Sequence, residues 1–239
     1  MTFVKLKGFL LVLFFFIGCV SSDQSETNPT NKSANEIETD NNILKTDTAI
    51  VLEIVSDTAY FLKGNSCIAK SFLQGEKTDI SKEGDKKTIK DKAFLFADCM
   101  IILRNIQTAG EFCHIPEIDK AEIYTALGDT IMIEKGRKQT ISGATLTEVF
   151  NGNRHESPAK KWGMIFNEAE GMIFGFMIIR SDGSYIYTET GNEYSLSYGE
   201  KLNTGFTNDD KFVLFDCVND NKSADFIIYS SGKFEVINK

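Results

Sequence analysis

The chain has little histidine, tryptophan or proline: 2 His, 1 Trp and 3 Pro in 239 residues. Two histidines leave no Ser–His–Asp set to be read from the sequence, and neither Gly-x-Ser-x-Gly nor His-Glu-x-x-His occurs. They also leave little material for a metal or cofactor site. No apolar run reaches membrane-spanning length, and no helical period persists beyond about ten residues. Basic excess is missing too. With 26 Lys+Arg against 34 Asp+Glu, a formal charge of −8 and a pI near 4.9, the chain lacks the cationic surface that binding nucleic-acid phosphates requires. What is present is 42% apolar and 25% charged residues, an ordinary globular balance. Eighteen Gly, 19 Phe and 7 Tyr point to strands joined by glycine turns.

The amino terminus carries an address. Lys5 and Lys7 precede an apolar run from Gly8 to Gly18, followed by Cys19-Val20-Ser21-Ser22-Asp23. A short basic segment and a run of this length form a secretory signal. Gly18-Cys19 resembles the lipobox of bacterial lipoproteins, although Phe16 stands where Leu is usual. The resemblance implies cleavage after residue 18 and lipidation of Cys19. Without residues 1–18, which hold two lysines and no acid, 24 basic side chains face 34 acidic ones. Two or more acyl chains would hold such an acidic protein on a membrane. The expected place is the cell envelope, anchored and facing the periplasm or the cell surface.

From residue 19 to 48 the chain is Ser, Asn, Thr, Asp and Glu with isolated apolar residues, too few to order it. It reads as a disordered tether with a reach of roughly 25–30 Å. Strand patterns then begin. Runs at 49–55, 58–62, 92–103 and 122–134 are β-branched or aromatic, and 74–92 between them reads as a solvated loop of mixed charge. Eight further short runs follow, at 146–150, 162–166, 172–179, 184–188, 194–198, 211–217, 225–229 and 233–237. Asn151-Gly152, Asp182-Gly183, Gly191-Asn192 and Ser231-Gly232 mark turns among them. The expected organisation is a β-rich segment over 49–118 and a β-sandwich region over 119–239. Three word pairs recur in order and raise an internal duplication: Ser56-Asp57 with Ser181-Asp182, Gly75-Glu76-Lys77 with Gly199-Glu200-Lys201, and Asp98-Cys99 with Asp216-Cys217.

Over residues 140–239 the order of words is Lys161-Trp162-Gly163-Met164-Ile165-Phe166, Phe174-Gly175-Phe176, Asp182-Gly183-Ser184-Tyr185, and then Asn203-Thr204-Gly205. Phe226-Ile227-Ile228-Tyr229 and Gly232 follow. This resembles the concanavalin A-like lectin/glucanase sandwich, in its bacterial laminin-G-like branch. The resemblance implies an all-β, antiparallel β-sandwich of jelly-roll type. Sandwiches of this type often bind calcium, and Asp216, Asn219, Asn221 and Asp225 crowd hard oxygen ligands into ten residues. The run lacks the Gly and Glu of an EF-hand loop, so a plain polar hairpin is the competing reading.

Glycan-cutting members use acids at alternate strand positions. The nearest word here, Glu168-Ala169-Glu170, falls beside Gly171 and reads as a loop. Gly75-Glu76-Lys77-Thr78 is no phosphate loop, because Glu76 separates the Gly from the Lys. Tyr185 and Tyr187 share one strand face, and Tyr194 and Tyr198 share another, so their rings could form a platform on which sugars stack. With Cys19 in the anchor, Cys67, Cys99, Cys113 and Cys217 allow three full pairings. A hairpin turning near Ile106 would set Cys99 opposite Cys113 as a disulfide pair. Together these features suggest a non-catalytic module that binds a glycan or an envelope partner. A glycan-degrading enzyme with acids on separate strands, or a structural protein without a small ligand, are the alternatives.

Overall fold

The central strands of this chain are apolar on both faces, and the architecture follows from covering both. A computed structural model describes residues 49–80, 86–109, 116–134, 145–169, 172–190, 196–197, 203–219 and 222–239. The segments read as leader and tether, with Cys19, lie outside the described residues, as do Cys113, Tyr194, Tyr198 and Asn221.

Three antiparallel sheets form. In the first, β1 (Ile50–Val55), β2 (Thr58–Lys63) and β3 (Ser66–Ser71) lie in that order. The second runs β4 (Lys77–Ile80), β5 (Lys86–Phe96), β6 (Cys99–Ala109), β7 (Lys120–Tyr124) and β8 (Thr130–Glu134). After a single-turn helix, α1 (Leu146–Phe150), the third begins with β9 (Arg154–Glu156), β10 (Trp162–Ala169), β11 (Met172–Arg180) and β12 (Tyr185–Glu189). It continues with β13 (Leu196–Ser197), β14 (Asn203–Phe206), β15 (Phe212–Asn219), β16 (Lys222–Ile228) and β17 (Phe234–Asn238). Among the described residues only the short β13 bridges β11 to β15, so the sheet turns back and its two halves face each other. The fold is an all-β antiparallel sandwich built of hairpin meanders. The alternation of strands between two sheets that makes a jelly roll is not seen among the described pairings.

Alternation decides which layer touches which. On β6, Met100 and Ile102 join Ala59, Phe61 and Phe72 against the first sheet, while Cys99, Ile101 and Leu103 face the third. On β11, Met177 and Ile179 meet β6, whereas Phe176 and Ile178 meet Phe212, Leu214, Phe226 and Ile228. Four layers therefore stack with three apolar seams between them. Each large side chain buried in a seam contributes on the order of 1.5–3 kcal/mol.

Several sequence expectations change. The run at 146–150 is a helix, not a strand: Thr145 and Glu148 form a capping box, and Leu146, Val149 and Phe150 lie on its buried side. The 92–103 run is two strands. Its turn, Ala97-Asp98, has positive φ at both residues (52° and 55°) without any glycine to announce it. The 74–92 loop contains β4 and the start of β5, paired antiparallel from Lys77 with Ile89 to Ile80 with Lys86. The 118/119 division falls between β6 and β7, which pair in one sheet. The echoed words do not occupy equivalent places, since Asp98 is in a hairpin turn and Asp216 in a bulge within β15.

A different repetition is present. At Thr125, Arg180, Thr207 and Tyr229 the N–H donates to the carbonyl four residues on, and the carbonyl accepts from the N–H three residues on. This is one three-residue hairpin loop used four times, with Gly128, Gly183, Asp210 and Gly232 taking the positive φ. Asp210 replaces glycine there, and its carboxylate accepts the buried Trp162 Nε1–H at 3.0 Å.

Trp162-Gly163 also gains a physical meaning. Trp162 fills one seam, while Gly163 faces the other and lets the Phe96 ring lie on the backbone; a Cβ there would sit 2.4 Å from Phe96 Cζ. Gly163→Ala should therefore lower stability by about 1–3 kcal/mol, or roughly 3–10 °C in Tm. Gly205→Ala, with open space around its Cβ, is the control. Equal melting temperatures for the two variants would refute the close contact.

Candidate functional site

β12 was the strand expected to carry a sugar platform. Tyr185 and Tyr187 both point into the seam against the second sheet, half-buried on its apolar cluster. The Tyr187 hydroxyl accepts from Asn167 Nδ2 at 3.0 Å, and its ring occupies the space that a side chain at Gly175 would need. Burial raises the titration of both phenols, with the Asn167 hydrogen bond opposing it at Tyr187. The opposite face of β12 is covered as well: Thr188 Oγ1 donates to the Gly232 carbonyl at 3.3 Å, and Ile186 packs on Gly232. These two tyrosines hold layers together instead of presenting rings to solvent. Glu189, at the end of the strand, is exposed. Glu168 lies on β10, not in a loop, and accepts from Asn153 Nδ2; Glu170 is outside the described residues.

The cysteine pairing is corrected. β6 does not turn at Ile106 but runs on to Ala109, because Ile106 is buried and a bulge at Asn105 (φ 52°) absorbs the irregularity. Cys99 is a buried free thiol donating to the Arg180 and Ser181 carbonyls, so it is not in a disulfide with Cys113. Burial pushes its thiol up to about 12 and that of Cys217, also free, to about 11. Neither is a nucleophile at neutral pH. Cys67 is disulfide-bonded.

Of the calcium candidates, the structure brings Asp216 and Asp225 together, but around a lysine. Lys239 Nζ donates to Asp216 Oδ1 at 2.5 Å and to Asp225 Oδ1 at 2.8 Å. Slight burial raises Asp225, but Lys239 and the Asp216 N–H outweigh it and lower its titration. An ammonium thus stands between the two carboxylates a cation would use. Among the described residues no group of three acidic, His or Cys side chains could hold a metal ion. Millimolar calcium should leave the melting temperature unchanged, and a rise of several degrees would mean that Lys239 is displaced.

The most tightly held charges join the first two sheets. Arg104 donates to Glu122 (2.8 and 3.0 Å), to Asp91 (3.0 Å) and to the Ser71 carbonyl (2.7 Å). Asp91, opposite the β6 bulge, also accepts from the Leu73 and Asn105 N–H groups at 2.9 Å each. Burial would raise Glu122, but hydrogen bonds from Lys120, Tyr124 and Arg104 bring it down to about 2. Tyr124 is pushed up to about 12 by burial and by Glu122.

Sequence reasoning passed over β9, where Arg154, His155 and Glu156 are consecutive. The signal was available, since this is one of only two histidines and both its neighbours are charged. His155 lies between the Phe166 and Phe212 rings, at 5.6 and 4.9 Å between centroids, with Nε2 buried and unpartnered. Burial lowers its titration against the opposing field of Glu168. The unfolded chain therefore takes up a proton below about pH 6.5 that the folded one resists, so stability present above that pH falls as pH drops. Glu122 adds a second loss between about pH 4.5 and 2. Melting temperature against pH should begin to decline near 6.5 in the native protein. It should stay level down to about 4.5 in His155→Gln; parallel curves would show that His155 titrates normally.

Compared with known proteins, the chain matches no family model, and neither a curated protein nor a solved structure resembles it at a significant level.

Proposed function

We propose that this chain is an envelope lipoprotein, held through Cys19, whose β-body binds a glycan or envelope partner without catalysing a reaction on it. The observation that carries the reading is where the reactive side chains are. Both free thiols are buried and pushed up, His155 is shut between two phenylalanines, and Arg104, Asp91 and Glu122 are consumed in one structural network. Hydrolysis of a glycan would need one carboxyl held protonated near neutral pH. Every described carboxylate whose titration is displaced, Glu122, Asp182, Asp209, Asp225 and Glu235, moves the other way.

The outermost layers support a binding role. Val51 and Val55 are exposed on β1, and Phe215 and Ile237 on β15 and β17, apolar sheet surface of the kind that partners cover. The basic, apolar and Gly18-Cys19 pattern supports the anchor, and an all-β sandwich agrees with the laminin-G-like resemblance without requiring it.

Two measurements test the reading. Cys19→Ser should move the protein from the membrane fraction to the soluble one; unchanged fractionation would defeat the anchor. Purified protein should release no sugar from common polysaccharides. Turnover that disappears on replacing a single carboxylate would establish the enzyme instead.

A further inference from the structure

One cluster concentrates positive charge without a counter-charge in an acidic protein. Arg154 points into the seam between the second sheet and the β9–β12 layer, where its guanidinium lies 3.9 Å from the centroid of the Phe94 ring. Its Nη2 donates to the Phe150 carbonyl at 3.1 Å, and its Nε is buried with no acceptor. Its strand neighbours do not neutralise it. His155 faces the other layer, and Glu156 accepts the Ala97 N–H at 2.6 Å.

Lys92 stands two residues before Phe94 on β5, on the same face and about 7 Å along the strand. The cross-strand partners confirm that face: Phe94 opposes Ile101, Lys92 opposes Leu103 and Lys90 opposes Ile106, all three partners belonging to one seam. Lys90, two residues before Lys92, lies on that side too by the same alternation and pairs with Glu76 at 3.1 Å. Among the described residues no carboxylate pairs with Lys92 or Arg154. Burial, then the fields of Arg154 and Lys90, lower the titration of Lys92, and burial lowers that of Arg154.

We propose that Lys92 and Arg154 form a binding site for one oxyanion group, a carboxylate or phosphate carried by the ligand of this β-body. The geometry suits this. Arg154 is held in place by the Phe94 ring and the Phe150 carbonyl, so little side-chain freedom is lost when an anion arrives. Lys92, which is exposed, supplies a movable second charge, and an anion between them relieves their mutual repulsion. The inference deepens the proposed binding role and rests on it for the source of the ligand; the site itself rests on the cation geometry.

The test measures melting temperature of the full chain against rising inorganic phosphate or sodium glucuronate. Glucose serves as the neutral control and sodium chloride at equal ionic strength as the screening control. Phosphate, glucuronate or both should raise the melting temperature beyond the chloride baseline, and the arm that responds identifies phosphoryl or carboxylate chemistry. Lys92→Met should weaken the anion response about tenfold while melting no lower than the native protein in its absence. Arg154→Met should weaken it likewise if it folds; the Lys92 variant decides the matter in either case. No response above the chloride baseline, or an undiminished response in Lys92→Met, would overturn the site. Neither result touches the anchored, non-catalytic role, which stands or falls on the Cys19→Ser fractionation and the hydrolysis assay.

Discussion

Every layer of this protein depends on the two-residue period of strands whose faces are both apolar. β6 alternates Cys99, Ile101 and Leu103 with Met100 and Ile102, and β11 alternates Met177 and Ile179 with Phe176 and Ile178. Neither strand can face water on any side without exposing several large side chains. A two-layer sandwich would leave one face of each uncovered. The chain meets the constraint by stacking, with the first sheet closing one side of β6 and the folded-back half of the third closing one side of β11. A one-residue slip in either strand would exchange its seams, so register and layer order are the same constraint.

Charge is placed to support the stack. Arg104 and Asp91 draw Ser71, Leu73, Asn105 and Glu122 into one network, satisfying each charge by several hydrogen bonds where the first sheet meets the second. Removing any one partner would leave another buried and unpaired, which costs far more than a surface pair is worth. Asp91 does this from opposite the bulge in β6, and strand alternation sends the next side chain, Lys92, to the other face.

The hairpin loops show how local chemistry recurs without recurring words. Thr125, Arg180, Thr207 and Tyr229 precede the same three-residue loop, yet only its third residue is restricted, by positive φ, to Gly or once to Asp. Similar words elsewhere, such as Asp98-Cys99 and Asp216-Cys217, occupy unlike places. Where Asp210 takes the strained position, its carboxylate also receives the only Trp of the chain, so an exception to the turn rule coincides with a tertiary contact.

Composition and period alone determined that the fold is all-β and antiparallel, and that turns fall at Asp182-Gly183 and Ser231-Gly232, because alternation and positive φ are local properties. The hidden turn at Ala97-Asp98, the helix at Leu146–Phe150 and the strand β4 were not legible, since no glycine, length or apolar run announced them. Tyr185 and Tyr187 were correctly placed on one face, but whether that face met water or another sheet is invisible to periodicity. Cys99 could be set on a strand, yet its partner depended on where β6 ended, and that depended on what covered Ile106. Likewise the acids at 216 and 225 suggested a cation site from spacing, and only the fold brought Lys239 between them. Arg154 is far in sequence from Lys92 and Phe94, and their meeting follows from the packing of one sheet upon another. The sequence by itself determined the antiparallel strand character, a local property of alternation; which faces were sealed, and which charges were left without partners, only the stacking of the layers decided.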